Sequence, residues 1–196
     1  MNENNKKPNQ EIKDSGSMQT WDTGARRDAP KNGDCSLIPL TYAAMMMNDP
    51  VLANIGKFME ERTINHLAAA LQESVKTVPV FRYDEVLKKM KDKNIEMSEC
   101  KTDEEKLQAC YADMLLEVSE LYKLGAQKYG KNNYQLGIPV NRYLDSGVRH
   151  YLKTLRGDVD EPHYRGFIWN LLCAMWTAEH IPELNFRDDP KRPDKE

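Results

Sequence analysis

The residues of this chain that could do chemistry crowd into one stretch, from Glu117 to Asn170. It holds Glu117-x-x-Glu120, the turn Gly125-Ala-Gln-Lys-Tyr-Gly130, the pair Arg149-His150, the run Asp158-Val-Asp-Glu-Pro-His163, and Asn170. Carboxylates and imidazoles of this kind hold divalent metals, and lysines and arginines beside them neutralise phosphate. Glu117 and Glu120 are three residues apart, so both project from one side of a helix. Hard oxygen ligands at that spacing can share magnesium and leave other positions to water and phosphate. The plain alternative is a solvated flank, because E-x-x-E is common on surface helices.

His163, Gly166, Asn170, Cys173 and Thr177 fall along one strip of an otherwise apolar helix. Such a strip is either a pocket wall or a row of satisfied internal hydrogen bonds. Gly166 costs that helix about 1 kcal/mol against alanine, which close approach of a ligand or another backbone would offset. Asp158, Asp160 and Glu161 crowd the start of the same helix, where capping is their first role; a metal role needs at least one of them to turn inward. His150 lies off the centre of the apolar face of its own helix, the usual place for a surface or hydrogen-bonded structural histidine. Arg26, Arg27, Lys31 and Lys128 are candidate phosphate contacts, with ordinary solvation as the alternative for each.

These residues must be positioned by helices. Apolar spacing predicts helices over Val51 to Phe58, Ile64 to Val75, Tyr83 to Lys91, Arg142 to Leu155 and, opened by Pro162, to about Glu179. Thr102-Asp-Glu-Glu105 fits a capping box and should start a helix running to about Lys128. Trp21 to Asp34 is rich in Gly, Pro and Asn and reads as turns without helix or strand, and Val78 to Phe81 could be extended. The expectation is an all-α fold in one domain over residues 19–182, with polar, disordered tails at 1–18 and 183–196.

The chain has 196 residues and a net charge of −3, with a sequence pI near 5.9. That balance offers no basic footprint for nucleic acid. Cys35, Cys100, Cys110 and Cys173 show no C-x-x-C spacing, so reduced thiols are expected. There is no signal peptide or membrane-length apolar run, and a soluble cytoplasmic protein is expected. Walker, Rossmann, zincin and serine-hydrolase motifs are absent from the sequence.

Three motif groups in order resemble one family. They are Asp22-Thr-Gly-Ala-Arg-Arg-Asp28 with Leu37-Ile-Pro39; Gly125-Ala-Gln-Lys-Tyr-Gly130 with Asn133 and Gly137-Ile-Pro139; and Arg142-Tyr-Leu-Asp-Ser146 with Arg149-His150, Asp160-Glu161, His163 and Asn170. Together they resemble the dATP/dGTP diphosphohydrolases found mainly in bacteriophages, relatives of the MazG-like all-α pyrophosphatases. The resemblance covers about Trp21 to Leu40 and Leu115 to Trp176, so residues 41–114 read as a helical insertion.

The resemblance implies hydrolysis of a purine deoxynucleoside triphosphate to monophosphate and pyrophosphate with Mg2+ or Mn2+, in the cytoplasm of a host if the chain is phage-encoded, and as a homo-oligomer. It implies metal ligands at Glu117, Glu120, Asp160 and Glu161. It gives His150, His163 and Asn170, with Glu120, the catalytic roles, and Arg26, Lys128, Tyr129, Asn133 and Arg149 the substrate. MazG-like enzymes carry E-E-x-x-E and a later E-x-x-D; here Leu116 and Asn170 stand where two of those acids would be. Two other readings remain: a non-catalytic nucleotide-binding or host-interaction protein, and a phosphohydrolase whose metal ligands are His150, His163 and Asp160.

Overall fold

The computed structural model describes residues 18–28, 33–77 and 83–184. Lys31, the stretch Val78 to Phe81 and most of both expected tails lie outside the described residues.

Among the described residues seven helices dominate, as the all-α expectation requires. They are α1 (Leu40–Met47), α2 (Pro50–Glu61), α3 (Ile64–Thr77), α4 (Tyr83–Asp92), α5 (Asp103–Tyr129), α6 (Val140–Arg156) and α7 (His163–His180). The N-terminal segment departs from its reading as turns alone. Strands β1 (Met18–Thr20) and β2 (Arg26–Asp28) pair antiparallel, Met18 opposite Asp28 and Thr20 opposite Arg26. The expected turn is present between them, with Gly24 at a φ of 83° and its amide bonded to the Trp21 carbonyl at 2.8 Å. Strands of three residues are too short for an alternating pattern to show in the sequence. Met18, expected in the disordered tail, opens β1.

The helix starts follow from local chemistry. The carboxylate of Asp49 accepts from the amides of Val51 and Leu52 at 2.9 and 3.0 Å, and Pro50 occupies the first position of α2, where a missing N–H costs nothing. The capping box of α5 forms as expected: the Glu105 amide donates to the Thr102 hydroxyl at 3.1 Å, and the Thr102 amide to Glu105 Oε2 at 2.9 Å. α5 then runs unbroken through residue 114, so the C-terminal boundary expected for the insertion falls inside a helix. Gly157, left-handed at φ 84°, ends α6.

The core is centred on the antiparallel pair α6 and α7, which a glycine on each lets come close. A Cβ on Gly147 would meet Leu171 Cδ1 at 3.0 Å, and one on Gly166 would meet the His150 ring at 2.9 Å. Val140, Tyr143, Leu144, Val148 and Tyr151 of α6 and Phe167, Ile168 and Leu171 of α7 are fully buried around this seam. α1, α2 and α3 pack as a helical layer on it, joined to α7 by Ser74 Oγ and the Tyr164 hydroxyl at 2.8 Å, and to α6 by the Tyr151 hydroxyl, which donates to Asp49 Oδ2 at 2.8 Å. α5 packs on α7 through Tyr122, whose ring lies 5.9 Å from that of Trp169 and 5.3 Å from that of Tyr134. No helix among the described residues is long and apolar enough to cross a membrane.

Asp49 thus caps α2 with one oxygen and holds α6 with the other. Asp49→Ala is expected to cost about 2–3 kcal/mol, roughly 1 from the cap and the rest from the stranded Tyr151 hydroxyl. In a Tyr151→Phe background the same change should cost only the cap, about 1 kcal/mol, as read from urea denaturation midpoints.

Candidate metal centre

The α6–α7 corner brings together residues that the sequence separates. Leaving α6, the chain turns at Gly157 and re-enters α7 directly after Pro162, so the acidic run Asp158 to Glu161 is folded back over the end of the hairpin. α7 has no side-chain cap and no acid in its first turn, which corrects the expectation that these acids cap it. Their carboxylates go elsewhere. Asp158 pairs with Arg156, its Oδ1 taking the Arg156 Nε–H at 2.7 Å. Asp160 Oδ1 lies 2.7 Å from His163 Nε2, and Glu161 Oε1 lies 3.2 Å from His163 Nδ1 and 3.8 Å from His150 Nδ1.

The two histidines face each other, Nδ1 to Nδ1, at 3.1 Å. The His163 side chain is 1% exposed and that of His150 22%. The His150 ring reaches this position because Gly166 has no side chain to exclude it. The close approach that Gly166 signals is therefore made by His150, neither a ligand nor a backbone. The rest of the strip is also internal packing. Asn170 donates to the Gly166 carbonyl at 2.7 Å and accepts from Arg27 Nη2 at 2.6 Å, and Cys173 Sγ lies 3.5 Å from the Tyr122 hydroxyl.

Two sets of three side chains could each converge on one ion: His150, Glu161 and His163; or Asp158, Asp160 and His163. In the second, Asp158 is already committed to Arg156. The first fits a metal. A first-row ion holds imidazole nitrogen at about 2.0–2.1 Å, so neighbouring ligand atoms in its shell stand roughly 3.0–3.4 Å apart. The observed separations of 3.1, 3.2 and 3.8 Å are close to that.

The four acids expected as ligands are not brought together. No set of metal-capable side chains among the described residues includes Glu117 or Glu120. Glu117 is ion-paired to Lys89, which also holds both Asp113 oxygens at 2.8 Å. Burial works against the Lys89 ammonium, but the hydrogen bonds to Asp113 and Glu117 outweigh it and raise its pKa. Glu120 accepts from the buried Arg165 at 3.1 Å. Each glutamate already has a cationic partner, Lys89 shared with Asp113 for Glu117 and Arg165 for Glu120, and a metal would have to compete with it.

The expected substrate contacts divide. Asn133 bridges the backbone of exposed Arg26, accepting from its amide at 3.0 Å and donating to its carbonyl at 2.9 Å, so it anchors β2. The Lys128 ammonium lies 5.3 Å from the ring centre of Tyr129. Arg149 donates to the buried Asp145 and, at 3.0 Å, to the Gly33 carbonyl. Asp145 Oδ1 also accepts from the Cys35 amide at 2.6 Å, which clamps the residue 33–37 segment onto α6.

Sequence reasoning missed Asp145, Lys89 and Lys153. The spacing of four between Asp145 and Arg149, and of three between His150 and Lys153, could have flagged two of them. Arg27, named only as a phosphate contact, lies against the rings of Tyr143 and Trp169 at 5.2 and 5.8 Å.

Residues 94–187 match the family model described as dATP/dGTP diphosphohydrolase, N-terminal. The match bears out the resemblance carried by the motifs, and a MazG-like relationship is consistent with it. It begins inside the segment expected to be an insertion and takes in the whole histidine–carboxylate corner. A diphosphohydrolase family suggests a divalent metal, and the corner contains side chains able to hold one. No curated protein and no solved structure matches the chain.

Burial first, then the electrostatic influence of the neighbouring His163 and of the cations Arg27, Lys153 and Arg149, push the His150 pKa from 6.5 down to about 3. The folded state therefore keeps His150 neutral where the unfolded chain binds a proton, so stability is lost as pH falls from about 6.5 toward 3. The loss is at most about 1.4 kcal/mol per pH unit. Denaturant midpoints of metal-free protein between pH 7 and 4 should show this slope, and His150→Gln should flatten it.

Proposed function

We propose that the protein hydrolyses a purine deoxynucleoside triphosphate to the monophosphate and pyrophosphate, using a divalent cation held by His150, His163 and Glu161. The observation that carries this reading is the position of that corner, within the segment matching the diphosphohydrolase family and under the charge of Arg27, Arg149 and Lys153. A bound ion supplies charge neutralisation and polarises phosphate oxygens. The chain's own residues do the rest. Glu161 and the two imidazoles fix the ion's place at the mouth of the hairpin, Asp160 orients His163, and the cations of α6 and β2 attract the polyphosphate. Water adds to the α-phosphorus as the bond to the bridging oxygen breaks, and that oxygen leaves with the pyrophosphate.

The reading also includes a homo-oligomer. Tyr42, Met45 and Met46 on α1 and Leu116 on α5 are each more than 60% exposed, an unusual outlay of large apolar side chains for an isolated 22.7 kDa chain. Light scattering should return a multiple of that mass.

Incubation with dATP or dGTP and a divalent cation should release pyrophosphate. His163→Gln should lower kcat/KM at least about 100-fold, the scale of losing an orienting or metal-holding group. Glu120→Gln, which removes only the partner of Arg165, should retain the rate within about tenfold. Pyrophosphate release lost in Glu120→Gln and kept in His163→Gln would return the metal to α5; orthophosphate as the sole product would refute the reaction.

A further inference from the structure

We propose that the His150–His163–Glu161 corner is a site for a nitrogen-accepting transition ion of the manganese, iron, cobalt or zinc class, that it discriminates against magnesium, and that Asp160 is the positioning residue that makes it so. This deepens the function proposed above by naming the ion class and the residue that selects it.

The argument starts from the protons. His163 has two ring nitrogens and each faces a carboxylate oxygen, Nε2 toward Asp160 at 2.7 Å and Nδ1 toward Glu161 at 3.2 Å. A neutral imidazole carries one N–H. The shorter contact takes it, so Asp160 accepts from Nε2–H and Nδ1 is left as a bare lone pair. That lone pair then confronts the Glu161 carboxylate at 3.2 Å and the Nδ1 of His150 at 3.1 Å. That contact is satisfied in one of two ways: the His150 Nδ1–H donates to the His163 lone pair, or a metal ion is held among the three atoms.

The surroundings favour the metal. His163 sits 1% exposed on the buried side of α7 with its ring clamped at both ends, and a carboxylate on the far nitrogen is the arrangement that fixes the tautomer of metal-binding histidines. Lys153, 3.9 Å from Asp160 Oδ2, holds the other oxygen of that carboxylate in turn. Two imidazoles and one carboxylate are a donor set for first-row transition ions. Magnesium demands oxygen ligands and gives up its waters reluctantly. Of the two cations that the resemblance implies, the donor set selects manganese. The glutamate pair of α5, with all-oxygen donors, would have selected magnesium, but Lys89 and Arg165 already engage those carboxylates.

The test uses untagged full-length protein stripped with chelator, and reads binding directly. Equilibrium dialysis and Mn2+ electron paramagnetic resonance should show one Mn2+ per chain, bound at least about 10-fold more tightly than Mg2+. His150→Gln should abolish that binding; its ring is the more exposed of the two, so the variant can be checked for folding by circular dichroism. Asp160→Asn should leave a site weakened about 10–100-fold, because the amide no longer enforces the tautomer. Glu117→Gln should bind Mn2+ as the native chain does.

Equal affinity for Mg2+ and Mn2+, Mn2+ binding that survives His150→Gln, or no binding at all would overturn the proposal. Asp160→Asn binding at native strength would remove Asp160 from it. The outcomes separate from those of the proposed reaction. A chain that binds Mn2+ through His150 but releases no pyrophosphate keeps the site and loses the function. One that releases pyrophosphate with Mg2+ alone, untouched by His150→Gln, does the reverse.

Discussion

The contact between the His150 ring and the bare backbone of Gly166 is the constraint on which the arrangement at the α6–α7 corner depends. A methyl group at residue 166 would lie 2.9 Å from ring atoms of His150, inside any tolerable carbon–carbon distance. Without that methyl, α7 passes close enough for His150 to reach across the seam and meet His163, three residues earlier on the same helix. The helix forgoes about 1 kcal/mol of propensity at Gly166, and the packing of Tyr151, Phe167 and Leu171 around the seam more than offsets it. Structure and chemistry share one cause here: the close packing that stabilises the hairpin also sets the spacing of the two imidazoles.

Charge partition decides where a metal can be held. The carboxylates facing the seams of α5 and the α6–α7 hairpin meet different kinds of partner. Asp113 and Glu117 share Lys89, Glu120 has Arg165, and Asp145 has Arg149 and a backbone amide. Asp160 and Glu161 differ, because the groups nearest to them are imidazoles. An imidazole can be neutral, so Glu161 meets no full positive charge from the two histidines, while Asp160 shares its second oxygen with Lys153 at 3.9 Å. They also stand just before the N-terminus of α7, where the helix dipole favours negative charge.

Much of this was legible in the sequence. Thr102-x-x-Glu105 and Pro162 mark helix starts that the structure reproduces to within a residue or two, because capping and the proline's fixed φ are local chemistry. Gly166 advertised a close approach. The sequence could not say what approached, since His150 lies sixteen residues away and across a turn. For the same reason the glutamates of α5 read as ligands: the motif E-x-x-E fixes their mutual spacing and says nothing of Lys89, 28 residues earlier, or Arg165, 45 residues later. The strands β1 and β2 were hidden by their brevity. What is encoded over one helical turn could be read, and what depends on which helix lies opposite could not.

The cations around the corner add a further coupling. Arg27 makes its side-chain hydrogen bonds, among the described residues, to neutral acceptors: Asn170 Oδ1 and the Arg142 carbonyl. Burial disfavours its charge, and the electron-rich face of Tyr143 supports it. Among the described residues no carboxylate pairs with Arg27 at contact, and its positive field is one of the influences keeping His150 unprotonated. Metal ligation needs a neutral imidazole, and polyphosphate binding needs uncancelled positive charge. In a site with only carboxylate ligands these demands pull apart, because nearby arginines would pair with the ligands themselves. With histidine ligands they agree: the same cations that attract phosphate hold the imidazole in the form that binds the ion, while Asp160 and Glu161 offset the mutual repulsion of the ion and the arginines.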